Sequence, residues 1–395
     1  MSIPHTSVPA RASARRGHRS IAAALFVVLG LHVGAWSVQI AALAVGLRLQ
    51  PGPLGIALSS GAAGGIVTLL LGGRIADRVG RKPLLLVGFL GTGLAFALLA
   101  AVHDLGQTVL VVLLYGLAVS FVDLGANLVG TDYERAHHAV ALTGLQAGFS
   151  AGAVIGALGA TVALAGGVDF RIVYLGMAAL FVLAAALVAV AALPPRGSEE
   201  APASEQRRIP VLRVAGVLFA AVVVTTCFFG DGALEGFLAL FLRQAVGAGV
   251  LLSGLGVASF HAASFVGRVL ADRLLQRAPA GRVISVAGLL AAVGITVAIA
   301  APSPGVAIAG LLVTGFAIAP VVPSGLSLAA RSAPDRPGRA VAAVTAVGYS
   351  SFLLAPLAVG GLASATDLRV GLGVVVVTSL ALAAYGLRWP ARSTP

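Results

Sequence analysis

Twelve long apolar runs constrain the fold of this 395-residue chain more than any other feature. A helix needs about 20 apolar residues to cross a bilayer, because each residue adds about 1.5 Å along the axis. Hydrophobic residues make up 58% of the chain and the mean hydropathy is +1.01, values that would leave a water-soluble domain with a large apolar surface. The sequence therefore predicts an all-α integral membrane protein with twelve transmembrane helices. The predicted spans are 21–47, 54–73, 83–102, 107–129, 139–165, 172–193, 211–242, 249–271, 283–301, 305–330, 340–363 and 370–388.

A polar segment divides these spans into six and six. Residues 194–210 read PPRGSEEAPASEQRRIP, and this polar, proline-containing composition predicts a linker. The basic head and the apolar run that follows it are interpreted as a tail and a retained first helix, since the run is too long for a signal peptide. The predicted units are an N-terminal tail (1–20), a first six-helix bundle (21–193), the linker (194–210), a second six-helix bundle (211–388) and a C-terminal tail (389–395).

Basic residues predict the orientation in the membrane. If both termini are cytoplasmic, only Arg48, Arg171, Arg243 and Arg369 of the 26 Lys and Arg residues fall in outside loops. Such an excess of basic residues on one side is typical of the cytoplasmic side. We therefore expect a multi-pass protein of a bacterial cytoplasmic membrane with both termini, and the linker, in the cytoplasm. Nucleic acid is not an expected partner, because the basic residues lie between apolar runs and form no basic domain.

The two halves of the sequence resemble each other. Residues 72–78 read GGRIADR and residues 267–273 read GRVLADR, so the charged stretch after the second span recurs after the eighth. Two tripeptides recur at nearly the same offset, GLA at 116–118 with GFA at 315–317, and GFS at 148–150 with GYS at 348–350. Three matches in the same order indicate a duplication, which predicts pseudo-symmetric halves.

The charged stretch 72–82, GGRIADRVGRK, identifies a family that the sequence resembles. It matches the pattern G-x-[LI]-A-D-R-x-G-R-[RK], which the Major Facilitator Superfamily carries between its second and third helices. The twelve spans, the central linker and the six-plus-six repeat extend this resemblance over essentially the whole chain after residue 20. The resemblance implies two six-helix bundles around a central cavity that opens alternately to each side of the membrane. The matching residues are Gly73, Ile75, Ala76, Asp77, Arg78, Gly80, Arg81 and Lys82.

The resemblance also implies a cytoplasmic gate, in which Asp77 latches this loop to a helix of the other half. The residues themselves indicate that Gly73 and Gly80 permit tight turning and that Asp77 could pair with Arg78 or Arg81. The alternative is a solvated, positively charged loop with no gating role. The gate candidates are Gly73, Asp77, Arg78, Gly80, Arg81 and Lys82, with Asp272 and Arg273 in the second half.

Carboxyl groups inside predicted spans are the candidates for proton coupling. An acid at the bilayer centre costs about 2.5–3.5 kcal/mol, so each one requires an explanation. Asp123 lies on a polar face of the fourth helix, and Asp231 and Glu235 share a face that we expect toward the outer end of the seventh helix. Asp123 is the preferred candidate, because Ser120 and Asn127 could hydrogen-bond either protonation state. The alternative for all three is an acid that only holds helices together.

Polar and aromatic side chains in the spans are the candidates for a solute cavity. His32, Trp36 and Gln39 lie on one face of the first helix, where they form either a ligand wall or a packing surface between helices. The full set of candidate cavity residues is His32, Trp36, Gln39, Ser120, Asn127, Gln146 and Tyr349.

Small residues and prolines predict local features of the helices. Gly148, Gly152, Gly156 and Gly159 give the fifth helix a face for close packing against another helix. Pro320 and Pro323 predict a kink or unwinding in the tenth span, and Pro356 predicts one in the eleventh.

These features favour a secondary active transporter that moves a small solute by alternating access. The chain has no metalloprotease motif, nucleophile elbow or phosphate-binding loop, so we expect neither an enzyme nor an ATP-driven pump, and no cofactor or metal. We expect proton coupling, a sugar-like solute and, from the family, a working monomer. The helix 4 row Asp123, Asn127 and Glu134, the helix 7 acids and the run GYSSFLLAP resemble a poorly characterised bacterial branch near the fucose-permease-like transporters.

Two alternatives remain. One is drug or metabolite efflux by proton antiport, although antiporters of this family usually carry an arginine in helix 4 and a Gly-Pro pair in helix 5, which this sequence lacks. The other is a membrane receptor or scaffold without transport activity.

Overall fold

The computed structural model describes residues 8–139, 141–195 and 211–390, except for the side chains of 8–14, Thr143 and Asp272. These parts of the chain form fourteen α-helices and a short 3₁₀ turn, Val211–Arg213, and they include twelve spans long and apolar enough to cross a membrane. The all-α fold and the number of spans are therefore confirmed. Most of the predicted linker, from residue 196 to 210, lies outside the described residues, as do residues 1–7 and 391–395 of the predicted tails.

The first half contains six continuous helices. Most of them extend beyond the apolar runs that predicted them, because the polar residues that flank a run continue the helix. The six helices are α1 Val8–Gly46, α2 Pro51–Val79, α3 Arg81–Leu99, α4 Leu105–His137, α5 Leu142–Ala165 and α6 Phe170–Val190.

The second half contains eight helices for six spans, because the tenth and eleventh spans are each interrupted once. The eight helices are α7 Ala215–Gln244, α8 Val250–Arg277, α9 Ala280–Ala300, α10 Pro304–Ile318, α11 Val321–Ser332, α12 Pro337–Tyr349, α13 Ser351–Ala365 and α14 Leu368–Leu387.

Proline explains one interruption but not the other. The tenth span breaks between Ile318 and Val321, at Pro320, which has no N–H to donate to the helix. The eleventh span was expected to break at Pro356, and this prediction of position is wrong, since Pro356 lies inside α13. The break is at Ser350, whose carbonyl accepts hydrogen bonds from the backbone of residues 353 and 354 as the helix restarts. The restart places the proline in the second turn of a new helix.

Small residues allow α1 and α5 to pack backbone to backbone. A Cβ atom on Gly152 would lie 2.9 Å from the backbone nitrogen of Leu31, and one on Gly156 would overlap the Leu31 carbonyl group. The predicted packing face of the fifth helix is therefore real at these two positions. A Cβ on Gly159 would meet nothing within 4 Å, so the face does not extend that far.

The two halves meet most closely at the end of the bundle that carries the α1–α2 connection. Here the Gly52 backbone N–H donates to Ser364 Oγ at 2.7 Å, and Ser59 Oγ donates to the Leu353 carbonyl at 2.7 Å. Both hydrogen bonds join α2 of the first half to α13 of the second. The bundle is closed at this end, which is opposite to the charged stretch 72–82.

Candidate functional site

A cavity of about 320 Å³ lies between the two halves. Helices α1, α2, α4 and α5 contribute its walls from the first half, and α7, α12 and α13 contribute them from the second. Most of the lining is aliphatic side chain or glycine. The residues with polar or ionisable groups that line it are His32, Trp36, Tyr115, Ser120, Asp123, Glu235 and Tyr349.

Asp123 lies near the middle of α4 and connects the polar face of that helix to the other half. Asn127 Nδ2 donates to Asp123 Oδ1 at 3.0 Å and to its backbone carbonyl at 2.9 Å, and Thr131 Oγ1 donates to the Asn127 carbonyl at 2.9 Å. The Tyr349 hydroxyl of α12 approaches the Asp123 carboxyl closely enough to interact with it. Asn127 itself supports Asp123 from one turn away and does not line the cavity.

The two acids of α7 have different surroundings. Glu235 lines the cavity, whereas Asp231 does not. The expectation that both lie toward the outer end of the helix does not hold for Asp231, which lies next to the midpoint of α7 (Ala215–Gln244), whereas Glu235 lies one turn closer to Gln244. The helix begins four residues later and ends two residues later than the predicted span 211–242, so its centre is three residues further along the chain than the hydropathy indicated.

Arg268 lies inside helix α8 and not in a cytoplasmic loop, and its exposed side chain reaches toward the other half of the bundle. The predicted eighth span ended at residue 271, but α8 continues to Arg277 and carries Arg268 two turns inside it. Arg268 Nη1 lies 3.4 Å from Ser150 Oγ of α5, and the guanidinium group is within electrostatic range of Asp231 and Glu235. Arg268 is not among the site residues predicted from the sequence, although an arginine that follows an apolar run without a helix breaker was the available signal.

The first helix contributes an aromatic wall. Trp36 stacks on Tyr115 of α4 with ring centroids 4.3 Å apart and planes 7° from parallel, and His32 Nε2 shares a short hydrogen bond with the Tyr115 hydroxyl. Gln39, on the same helical face, does not line the cavity and is fully buried, and its amide atoms have no hydrogen-bond partner among the described residues. Gln146 on α5 is exposed and does not line the cavity either.

The charged stretch is almost entirely helical. Gly80 alone separates α2 from α3, and its φ of 90° explains the glycine at this position. The turn predicted over residues 72–82 is therefore a single residue, because the charged residues extend both helices. Gly73 lies inside α2, and a Cβ there would meet nothing within 4 Å, so the expected tight turning at Gly73 is wrong.

An ion pair joins this stretch to α4. Arg81 Nε lies 3.0 Å from Asp132 Oδ2, and the two side chains are only 11% and 3% exposed. Arg81 Nη1 also lies 3.7 Å from Asp77 Oδ1, which is 58% exposed. The pairing of Asp77 with Arg81 was one of the predicted options, but Asp132 was missed, because it lies off the polar face that contains Asp123.

The remaining gate candidates are less informative. Arg78 and Arg273 are exposed, and Lys82 is half-buried. The side chain of Asp272 lies outside the described residues.

Twelve spans around a central cavity, with carboxyl groups from both halves in its wall, define a multi-pass membrane transport protein. A family model described as the Major Facilitator Superfamily matches residues 21–356 and 220–395. The chain belongs to this superfamily of membrane transporters, as the sequence resemblance indicated.

Known relatives support membership of the superfamily. They do not test the resemblance to the branch near the fucose-permease-like transporters, which stays a prediction. An uncharacterized MFS-type transporter of Yersinia pestis is 26% identical over 298 residues, which are 75% of this chain and 76% of the relative. An uncharacterized transporter of Sinorhizobium fredii is 24% identical over 311 residues, covering 78% of this chain and 81% of the relative.

Solved structures show the same fold. The nucleoside transporter NupG has a TM-score of 0.79 at 15% identity, covering 94% of this chain and 100% of NupG. A bacterial homologue of the human lysosomal transporter Spinster, in an inward-facing and unoccupied conformation, has a TM-score of 0.77 at 15% identity, covering 96% and 99%. A D-xylose–proton symporter has a TM-score of 0.76 at 15% identity, covering 95% and 98%. At these identities the likeness concerns the fold alone.

Proposed function

We propose that this protein is a proton-coupled secondary transporter that moves a small solute by alternating access. One observation carries the proposal: Asp123 of the first half and Tyr349 of the second approach each other in the wall of a central cavity. A contact of this kind must change when the halves move relative to each other. A proton on Asp123 would therefore alter the relative stability of the conformations, which is what coupling to a proton gradient requires.

The orientation and the conformational state form part of the same proposal. The distribution of basic residues supports cytoplasmic termini and a cytoplasmic linker. In that orientation the closed end, with Gly52 and Ser364, faces the outside of the cell. The described conformation is then inward-facing, and the gate residues around Asp77 and Arg81 lie at the end that must close in the next step of the cycle.

The cavity lining supports the efflux alternative over a sugar-like solute. A sugar presents many hydroxyl groups, and each one that is buried without a hydrogen-bond partner costs binding free energy. The cavity offers few polar groups, and long stretches of its wall are aliphatic or aromatic. An amphipathic drug or metabolite fits this lining better, and the cavity volume is at the lower end of the usual range for ligand pockets.

Asp123 is the proposed coupling carboxyl, with Glu235 and Asp231 as the other candidates. Asn127 holds the Asp123 side chain in place by a hydrogen bond, and Ser120 lines the cavity one turn away. Asp231 is the weakest candidate of the three, because it does not line the cavity.

The test is transport by protein reconstituted into liposomes, as a monomer, after a thermal-shift screen against sugars, sugar acids and hydrophobic drugs has identified a ligand. Asp123→Asn should abolish accumulation driven by an imposed pH gradient and keep exchange of solute across the membrane. The matched variants Glu235→Gln and Asp231→Asn remove the same charge elsewhere. Accumulation by Asp123→Asn but not by one of these variants would move the coupling site to α7. Absence of transport by the wild type, despite ligand binding, would favour a receptor.

A further inference from the structure

The interior of the bundle carries more negative than positive groups. Outside the N-terminal extension of α1, the charged side chains far from both ends of a described helix are Asp123, Asp231, Glu235 and Arg268. Three carboxyl groups therefore face one guanidinium group, which is itself exposed. Arg268 can compensate only one of them, and it lies within electrostatic range of both Asp231 and Glu235. Asp123 and Glu235, the two carboxyl groups that line the cavity, therefore have at most one cation nearby, and that cation also faces Asp231.

Uncompensated charge inside a membrane requires a bound proton or a bound cation. Asp123 has Asn127 as a hydrogen-bond donor. The Glu235 carboxyl, in contrast, has neither a hydrogen bond nor an ion pair to any side chain within the described ranges, although it is partly exposed to the cavity. Glu235 is therefore positioned to meet a group that comes from outside the protein.

A second polar group in the wall has only a weak partner. His32 is only 3% exposed and lines the cavity, and its ring interacts with the Leu29 backbone, but its Nδ1 atom makes no hydrogen bond of regular geometry to the part of the chain that the structure describes. Its Nε2 atom is already engaged with the Tyr115 hydroxyl. A buried nitrogen whose protein partner is this weak can also bind a ligand or a water molecule.

The aromatic part of the wall suits a positive charge. Trp36 and Tyr115 form a stacked pair on one side, and Tyr349 and Phe352, with ring centroids 5.9 Å apart, lie on the other. The faces of such rings attract cations, and quaternary ammonium ligands are characteristically held in aromatic surroundings. The same rings provide the apolar contact area that an amphipathic molecule needs.

We propose that the transported solute is an amphipathic organic cation, a substituted ammonium compound, whose positive charge is held by Glu235 and the aromatic wall. The proposal rests on the proposed function and names its substrate class. In the empty cavity, a proton on Asp123 supplies part of the missing positive charge. When the cation binds, the O–H bond of Asp123 breaks, the proton leaves to water, and the cation takes its place in the charge balance. Cation and proton then occupy the cavity alternately, which corresponds to antiport.

Several other groups influence this exchange. Tyr115 and Tyr349 lie within electrostatic range of Glu235, as do Asp231 and Arg268. His261 of α8 is within range of Arg268. The groups around the carboxyl pair are thus His32, Tyr115, Asp231, Arg268 and Tyr349, and His261 acts on the pair through Arg268.

The first experiment compares three soluble probes that share a benzyl skeleton and differ in charge. Benzyltrimethylammonium is the cation, benzyl alcohol the neutral molecule and phenylacetate the anion. We expect the purified wild type to bind the cation at least about tenfold more tightly than the alcohol, measured by isothermal titration calorimetry and by thermal shift. Phenylacetate should not bind. Equal binding of all three probes, binding of only the alcohol or the anion, or binding of none would overturn the inference.

Variants then locate the charge that the probe recognises. Glu235→Gln keeps the shape of the side chain and should weaken binding of benzyltrimethylammonium by about tenfold or more, with the affinity for benzyl alcohol unchanged. Asp335→Asn removes the same charge from an exposed position near the start of α12 and serves as the control. Unchanged cation affinity in Glu235→Gln would contradict the assignment, and the probe preference of the wild type stays informative if that variant does not fold.

Titrations in two buffers with different heats of ionisation count the protons released and separate this inference from the proposed function. The wild type should release about one proton for each cation bound, in accord with the exchange described above. Asp123→Asn should bind the cation and release none. Cation binding by the wild type without proton release would contradict coupling at Asp123 but support the substrate class. Proton-coupled transport of a neutral solute, without cation binding, would contradict the substrate class but support the proposed function.

Discussion

Gly360 provides the sharpest test of how the closed end is held together. It lies in α13, and a Cβ built on it would be 2.5 Å from the backbone oxygen of Pro51 in the other half, where ordinary contact begins at 3.4 Å. In Gly360→Ala the two helices must therefore separate by 3.4 − 2.5 = 0.9 Å in the closed state. Overpacking of this size costs about 1–3 kcal/mol, and a backbone atom cannot avoid it by a change of rotamer. A conformation that opens this end avoids the cost, so its population relative to the closed state should rise by about 5-fold to 150-fold.

The neighbouring Gly361 offers a matched control. A Cβ there would meet nothing within 4 Å, so Gly361→Ala makes the same change in the same helix without the clash. Both substitutions gain about 1 kcal/mol of helix propensity, which cancels between conformations as long as α13 stays helical in both.

The population of open molecules is measured as a distance between spin labels. His103 and Pro302 are exposed residues in the α3–α4 and α9–α10 connections, one in each half, and both can carry a label after substitution by cysteine in a Cys227→Ala background. We expect a second, longer distance in Gly360→Ala that is absent in Gly361→Ala. Identical distance distributions in the two variants would refute the idea that backbone contact at Gly360 holds this end closed.

Two further predictions concern the charged stretch and the orientation. Asp132→Asn leaves Arg81 buried without its closer partner, which should cost about 3–5 kcal/mol of folding stability and lower the melting temperature. Asp77→Asn changes an exposed carboxyl, so it should keep the melting temperature and reduce transport by shifting the balance between conformations. Wild-type transport by Asp77→Asn would leave Asp77 as a charge near the end of α2 without a gating role. In intact cells a membrane-impermeant thiol reagent should label Ser364→Cys and not Ser198→Cys, and labelling of the latter would reverse the proposed orientation.

The sequence predicted the helices because a membrane imposes a simple requirement. Any span must satisfy its own backbone hydrogen bonds and present apolar side chains, so hydropathy alone finds it. The same logic located Asp123, since a carboxyl within an apolar run is conspicuous. The limits of the runs were less reliable, because helices such as α2 and α8 continue through charged residues once they leave the hydrocarbon region.

The residues that the sequence could not assign are those whose role depends on a partner from another helix. Asp132 becomes significant only because Arg81 points to it, and Arg268 only because α5 and α7 pack beside it. Gln39 shows the converse. It shares a helical face with His32, but seven residues of helix span about 10 Å, and the cavity ends before that distance. Periodicity gives the direction of a side chain, and only the packing of the other helices decides what lies in that direction.

The internal repeat connects the direction of a side chain, which periodicity gives, with its surroundings, which the packing of the helices decides. Phe149 and Tyr349 occupy the same place in the repeated motifs GFS and GYS, and both line the cavity, one from each half. Duplication thus accounts for a symmetric frame in which equivalent positions face the same space. The chemistry at those positions differs, because only Tyr349 has a hydroxyl group to approach Asp123. A cavity that must release its solute on one side and bind it on the other can use symmetric helices to move, but it needs asymmetric side chains to link that movement to a proton. Departures from the repeat at cavity positions are therefore where we expect the specificity of this transporter to lie.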